Sequence, residues 1–148
     1  MNLSRSRPAP VLLALISLCA GLTATGTVAA SPAAGVWRSP EDQAQIEIYD
    51  CGSRLCGRIL TSSQLAAEPG LKDIKNHDPA LRERPLKGLQ IIEGFSGGPT
   101  HWKGGAIYRP TDGRAYSATV EVVDAATLKV TGCLMMGLCE SETWVRLR

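Results

Sequence analysis

The feature that most constrains this chain is how its apolar residues recur: in short runs of alternating character, broken by Gly or Pro, with almost nothing at helical period. A period of two puts successive side chains on opposite faces of an extended backbone, so each run reads as a strand with one buried face. Residues 115–123 are the clearest case, with Tyr116, Ala118, Val120 and Val122 sharing a face. In 44–51, Ala44, Ile46 and Ile48 oppose Gln45, Glu47 and Tyr49. Further strands are expected at 35–39, 54–61, 89–95, 102–108, 128–133 and 142–148, which makes eight. Pro110-Thr111-Asp112-Gly113 and Ser96-Gly97-Gly98-Pro99 are reversal signals, because Pro fixes φ and Gly frees it.

Eight consecutive hairpin-linked strands predict an all-β fold, a small closed antiparallel barrel, because closure removes the unpaired edges that invite aggregation. An open β-sandwich is the competing architecture. A barrel of this size is either filled by side chains or holds one small ligand. Residues 62–88 break the pattern and are too long for an ordinary connection; such loops are usually functional or disordered. Within them Thr61-Ser62-Ser63-Gln64 has the look of a capping box for one helical turn, and Asp78-Pro79 can cap another. This polar segment is expected to form a lid at the barrel mouth, with Asp73, Asn76, Asp78, Arg84 and Trp102 lining a ligand site.

The first thirty residues are of another kind. Arg5 and Arg7 precede an apolar stretch from Val11 to Leu22 and a small-residue site at Val28-Ala29-Ala30, the pattern of a secretory signal peptide cleaved before Ser31. Twelve apolar-leaning residues are too few to span a bilayer as a helix, and Leu18 before Cys19 does not fit a lipidation site. The chain is therefore expected to be exported, periplasmic or secreted, as one domain over residues 31–148. The leader also holds the whole charge surplus: of 16 Lys plus Arg against 14 Asp plus Glu, it takes two basic residues and no acidic one, so the domain is neutral. Neutrality argues against nucleic acid as a partner, since displacing counterions from phosphates needs a basic surplus.

Outside the leader are Cys51, Cys56, Cys133 and Cys139, an even number in an oxidising setting, which favours disulfides. Three connectivities are possible; local pairing is expected, because each pair brackets a Gly near a chain reversal. A zinc site is disfavoured by the five residues between Cys133 and Cys139, against a usual spacing of about two to four. His77 and His101 have no third ligand at a fixed spacing, and no metal or cofactor is expected.

The motifs Cys51-Gly-x-x-Leu-Cys56-Gly57-Arg58-Ile59, Lys75-Asn76-x-Asp78-Pro79, Arg84-Pro85-Leu86-x-Gly88-Leu89, Trp102-x-Gly104-Gly105-x-Ile107-Tyr108-x-Pro110-x-x-Gly113, Gly132-Cys133 and Trp144-x-Arg146 occur in that order. In this combination the chain resembles the secreted bacterial family catalogued as domain of unknown function 2147, over about residues 35–148. The resemblance implies an exported barrel related in shape to lipocalins and brings no activity with it. Gly35-Val36-Trp37 is also similar to the Gly-x-Trp opening of lipocalins, which implies that Trp37 closes one barrel end with Arg146 of the last strand across its ring.

Gly94-Phe95-Ser96-Gly97-Gly98-Pro99 matches the Gly-x-Ser-x-Gly elbow of α/β-hydrolases, but the elbow needs a helix after its Ser, and here Pro99 and a β-like run follow. No acid, base or nucleophile constellation fits its context, so no enzyme is expected. The function expected is binding of a small apolar or amphipathic ligand. The alternative is an interaction module for a cell-envelope protein, for example a hydrolase inhibitor, docking through hairpin tips near Met135 and Ser96.

Overall fold

The computed structural model describes residues 29–135 and 137–148. The leader expected over residues 1–30 therefore lies, apart from its last two residues, outside the described residues. Among these, no helix is long and apolar enough to cross a membrane.

Eight strands form a closed barrel in which each pairs antiparallel with its sequence neighbour and the last pairs with the first. They are β1 (Gly35–Arg38), β2 (Gln45–Cys51), β3 (Arg54–Thr61), β4 (Gln90–Gly97), β5 (His101–Arg109), β6 (Arg114–Asp124), β7 (Thr127–Leu134) and β8 (Leu138–Arg146). The sandwich alternative is thereby removed. Alternation turns inside and outside as expected: in β6, Tyr116, Ala118 and Val120 are buried while Ser117 and Thr119 are exposed. The last strand differs from expectation, starting four residues earlier, at Leu138 instead of 142. The cause is a tight β7–β8 hairpin whose register runs through Cys133↔Cys139 to Leu134↔Leu138.

The long β3–β4 connection carries one short helix, α1 (Ser63–Ala67), whose N-cap Ser62 accepts from the Leu65 N–H at 3.2 Å. A 3-10 turn follows at Pro79–Leu81, capped by the Asp78 carboxylate, which accepts from the Ala80 N–H at 2.9 Å. Two disulfides, Cys51–Cys56 and Cys133–Cys139, tie the β2–β3 and β7–β8 hairpins. Such bonds mark a non-cytoplasmic protein.

Candidate functional site at the open end of the barrel

Up-and-down strands give the barrel two unlike ends. The β2–β3, β4–β5 and β6–β7 turns gather at one end with the start of β1 and the end of β8; the other four connections gather at the opposite end. At the first end the bore is filled. Trp37, Leu55, Phe95 and Leu128 are wholly buried there, with Ile48 and Ile92 above them. Gly105 makes room for this packing, since a Cβ on it would sit inside the Phe95 ring. The Arg146 guanidinium lies 4.0 Å from the Trp37 ring centroid and donates to the carbonyls of Ala34 (2.7 Å), Ala125 (2.6 Å) and Pro32, so one side chain laces the segment before β1 to the β6–β7 turn. The Trp37 indole N–H donates to Ala33 O at 2.8 Å.

Towards the other end the interior opens into a cavity of ≈ 210 Å³. Its walls include Ile46, Ile59, Ile91, Ile107, Val130 and Trp144, one from each of six strands. Leu65, Leu71 and Leu86 of the β3–β4 connection roof it. Gly132 faces the space without a side chain to fill it.

The roof is a strap pinned at its centre by one carboxylate. Asp73 is buried, and its Oδ2 accepts from Arg84 Nε at 2.8 Å and from Asn76 Nδ2 at 2.8 Å, while its Oδ1 accepts from the Tyr108 hydroxyl at 2.6 Å. Arg84 lies over the Tyr108 ring, 5.1 Å from its centroid, and so neutralises Asp73 and packs on the strand below it together. Backbone bonds run alongside, Asp73 N to Arg84 O at 3.0 Å and Leu86 N to Leu71 O at 2.9 Å. Gly113 fits beneath the strap at φ +72°, where any Cβ would collide with the Lys75 carbonyl. Burial raises the Tyr108 pKa above its ordinary 10.0, and the Asp73 carboxylate adds to the rise.

A second polar group stands at the mouth. Arg109, the last residue of β5, points inward in step with Ile107, and four carboxylates surround it: Glu41 at 3.4 Å, Asp112 and Glu140 at 3.9 Å, and Glu142 at 4.0 Å. The guanidinium also lies over Tyr116, 4.8 Å from the ring centroid. Burial alone would lower the Arg109 pKa, yet the surrounding negative charge, Glu41 foremost, raises it. The carboxylates are held by other donors: Glu41 by the Thr111 hydroxyl (2.6 Å), Glu142 by the Trp144 indole N–H (2.9 Å) and Asp112 by the Tyr116 hydroxyl. That last hydrogen bond, followed by burial, raises the Tyr116 pKa.

The five residues expected to line a ligand site fall in three places. Asp73, Asn76 and Arg84 come together, but with their polar groups turned on one another and on Tyr108 to pin the strap. Asp78 caps the 3-10 turn, with its own N–H on Asn76 Oδ1 at 2.8 Å. Trp102 is buried near the filled end, because β5 starts there. None of the five lines the cavity. Arg109, Glu140 and Glu142 were absent from that expectation, although a signal existed. Two-residue steps back from Arg146 reach Trp144, Glu142 and Glu140, all on one face of β8.

A family model described as "Uncharacterized protein conserved in bacteria (DUF2147)" matches residues 35–146, the whole barrel. The chain belongs to this family. Among solved structures, the DUF2147 barrel is similar to a protein from Helicobacter pylori, HP1028, described as belonging to the lipocalin family, with a TM-score of 0.70 and 22% identity over 78% of this chain and 82% of that one. At that identity the likeness is one of fold. No curated protein matches the DUF2147 chain.

Proposed function

We propose that this protein is an exported carrier or sensor that binds a small apolar or amphipathic molecule in the open half of its barrel, without transforming it. The observation that carries this reading is the apolar cavity of ≈ 210 Å³ under a pinned strap. Pockets for drug-sized ligands run to about 300–1,000 Å³, so the occupant is smaller than these or partly outside. Disulfides in both hairpins suit a periplasmic or secreted setting, as does the leader expected from the sequence.

Trp144 offers the test, because it lines the cavity while Trp37 and Trp102 lie towards the filled end. A neutral apolar dye such as Nile red is expected to quench tryptophan emission in the natural protein and to lose that effect in Trp144→Phe. Native mass spectrometry of gently extracted protein should also show a co-purifying small molecule. Dye binding that ignores both Trp144→Phe and a bulky residue at Gly132 would sink the reading.

A second reading rests on the β7–β8 hairpin tip, where Met135 is 86% and Leu138 75% exposed beside the Cys133–Cys139 bond. A rigid apolar tip loses little entropy on docking, which suits an envelope-protein partner. Capture of such a partner from envelope extracts, lost on Met135→Asp, would support it; cross-linking that finds none would count against it.

A further inference from the structure

We propose that the cavity selects ligands with a cationic head, an amine or quaternary ammonium on a short apolar chain. This rests on the reading of the cavity as a ligand site and names its ligand class. The argument begins with strand alternation. Arg109, Glu140 and Glu142 occupy inward positions, as Ile107 and Trp144 do, so their charges meet at the top of the bore and not on its outer wall. Four carboxylates within 4.0 Å of one guanidinium leave that ring three negative charges in surplus. The lysines on the cavity rim do not cancel them. Lys72 is paired with Glu83 at 2.5 Å, and Lys75, which keeps its charge while donating to the Thr111 carbonyl at 2.8 Å, is offset by Asp42, also in the lining.

The ion pairs around Arg109, at 3.4–4.0 Å, are longer than the roughly 2.7–2.9 Å of direct charge-assisted hydrogen bonds. Acceptor capacity on the ring is therefore left over. Glu140 has the most: its side chain is 83% exposed and takes part in no hydrogen bond among the described residues. An opposite charge within about 4–6 Å of these carboxylates is favoured and a like charge is not. A ligand carboxylate reaching for Arg109 would meet that surplus, whereas an ammonium replaces water between Glu140 and Glu142. Trp144 gives its N–H to Glu142, so the ring face remains for the cation or its first carbons. The apolar chain then runs down among Ile46, Ile107 and Val130.

Three probes with one tail and different heads test this: octylamine, 1-octanol and octanoate, titrated calorimetrically into the purified full-length exported protein at pH 7 and low salt. Octylamine is expected to bind about tenfold tighter than octanol, a gap of about 1.4 kcal/mol, with octanoate weakest. The amine-to-octanol ratio should fall towards unity in the double variant Glu140→Gln, Glu142→Gln and as salt rises. It should grow in Arg109→Gln, which removes the competing cation, so the inference does not hang on one variant's folding. Octanoate binding tightest, or a ratio unmoved by the double substitution in a folded variant, overturns the headgroup inference alone. If none of the three binds, the cavity reading fails and this one with it.

Discussion

At the filled end, β3, β4 and β7 send Leu55, Phe95 and Leu128 into the bore; at the open end the same strands present Ile59, Ile91 and Gly132, and a cavity remains. The polar groups differ in the same way. Arg146 at the filled end directs its nitrogens at three backbone carbonyls 2.5–2.7 Å away and stacks on a buried Trp. Arg109 at the open end has four partners and none closer than 3.4 Å. One guanidinium is committed to holding the fold together, and the other keeps donors and charged neighbours available. A barrel can keep a hollow half because the other half supplies close packing, the state in which apolar side chains contribute most.

This asymmetry is broken most severely by Phe95→Ala. The ring is wholly buried against Gly105, so its loss should cost about 3–5 kcal/mol, read from urea unfolding as a lower midpoint at unchanged slope. Ile59→Ala, in the cavity wall, should cost about 2 kcal/mol, the low end for such changes, because one side of Ile59 already faces space. Equal losses would mean the two halves are packed alike.

Next comes Asp73→Ala, which removes the acceptor shared by Arg84, Asn76 and Tyr108. Hydrogen bonds to charged groups contribute about 1.5–3 kcal/mol each, and Arg84 can recover part of its loss in solvent, so about 2–3 kcal/mol of strap stability should go. The loss should be local: amide exchange should speed up at Asp73, Asn76 and Leu86, whose N–H groups bond within the strap, and not at Trp37 or Arg146. Uniform acceleration would mean that strap and barrel open as one unit.

The same end should yield first to alkali. Tyr108 and Tyr116 both have pKa values raised above 10.0 in the fold. The folded state holds these protons more tightly than the unfolded chain, so the stabilisation is full below pH 10 and lost as pH rises through the folded values. Ultraviolet phenolate titration alongside amide exchange should show the strap loosening above pH 10, and Tyr108→Phe should remove part of that dependence. A titration that left strap exchange unchanged would contradict the coupling.

Much of the filled end was legible in the sequence, and the open end much less so. Alternation in 115–123 and 44–51 reports which side chains face in, and closure follows from strand count; both are local or topological properties. The local cysteine pairs needed only the hairpin order, whereas Trp37 with Arg146 came from the likeness of Gly35-Val36-Trp37 to the lipocalin opening. The strap has no period. Nothing in Asp73, Asn76 and Arg84 as residue types tells whether their polar atoms face a ligand or one another; that depends on Tyr108, 32 residues beyond Asn76 and 35 beyond Asp73. Glu140 was hidden by a strand start set four residues late, and Glu142, the first residue of the expected strand, was not read as facing the bore.

The smallest expected effect is the sharpest test, because it makes one substitution at both ends. Gly105 and Gly132 both have negative-φ backbone that accepts alanine, so only the space around a new Cβ distinguishes them. At Gly105 that atom would overlap the Phe95 ring, and overpacking of a filled core costs about 1–3 kcal/mol. At Gly132 it would meet Tyr116 Cβ at 3.6 Å and Ile107 Cγ2 at 3.9 Å, ordinary contact distances. Gly132→Ala should therefore stay within about 0.5 kcal/mol of the natural protein while taking a methyl group's volume from the cavity. Gly132→Leu extends the series, reaching further into the same space. Urea midpoints paired with Nile red affinity separate the outcomes: Gly105→Ala should lower stability, and the Gly132 series should lower affinity stepwise with little change in midpoint. A Gly132→Ala as costly as Gly105→Ala would show that the open half is packed after all.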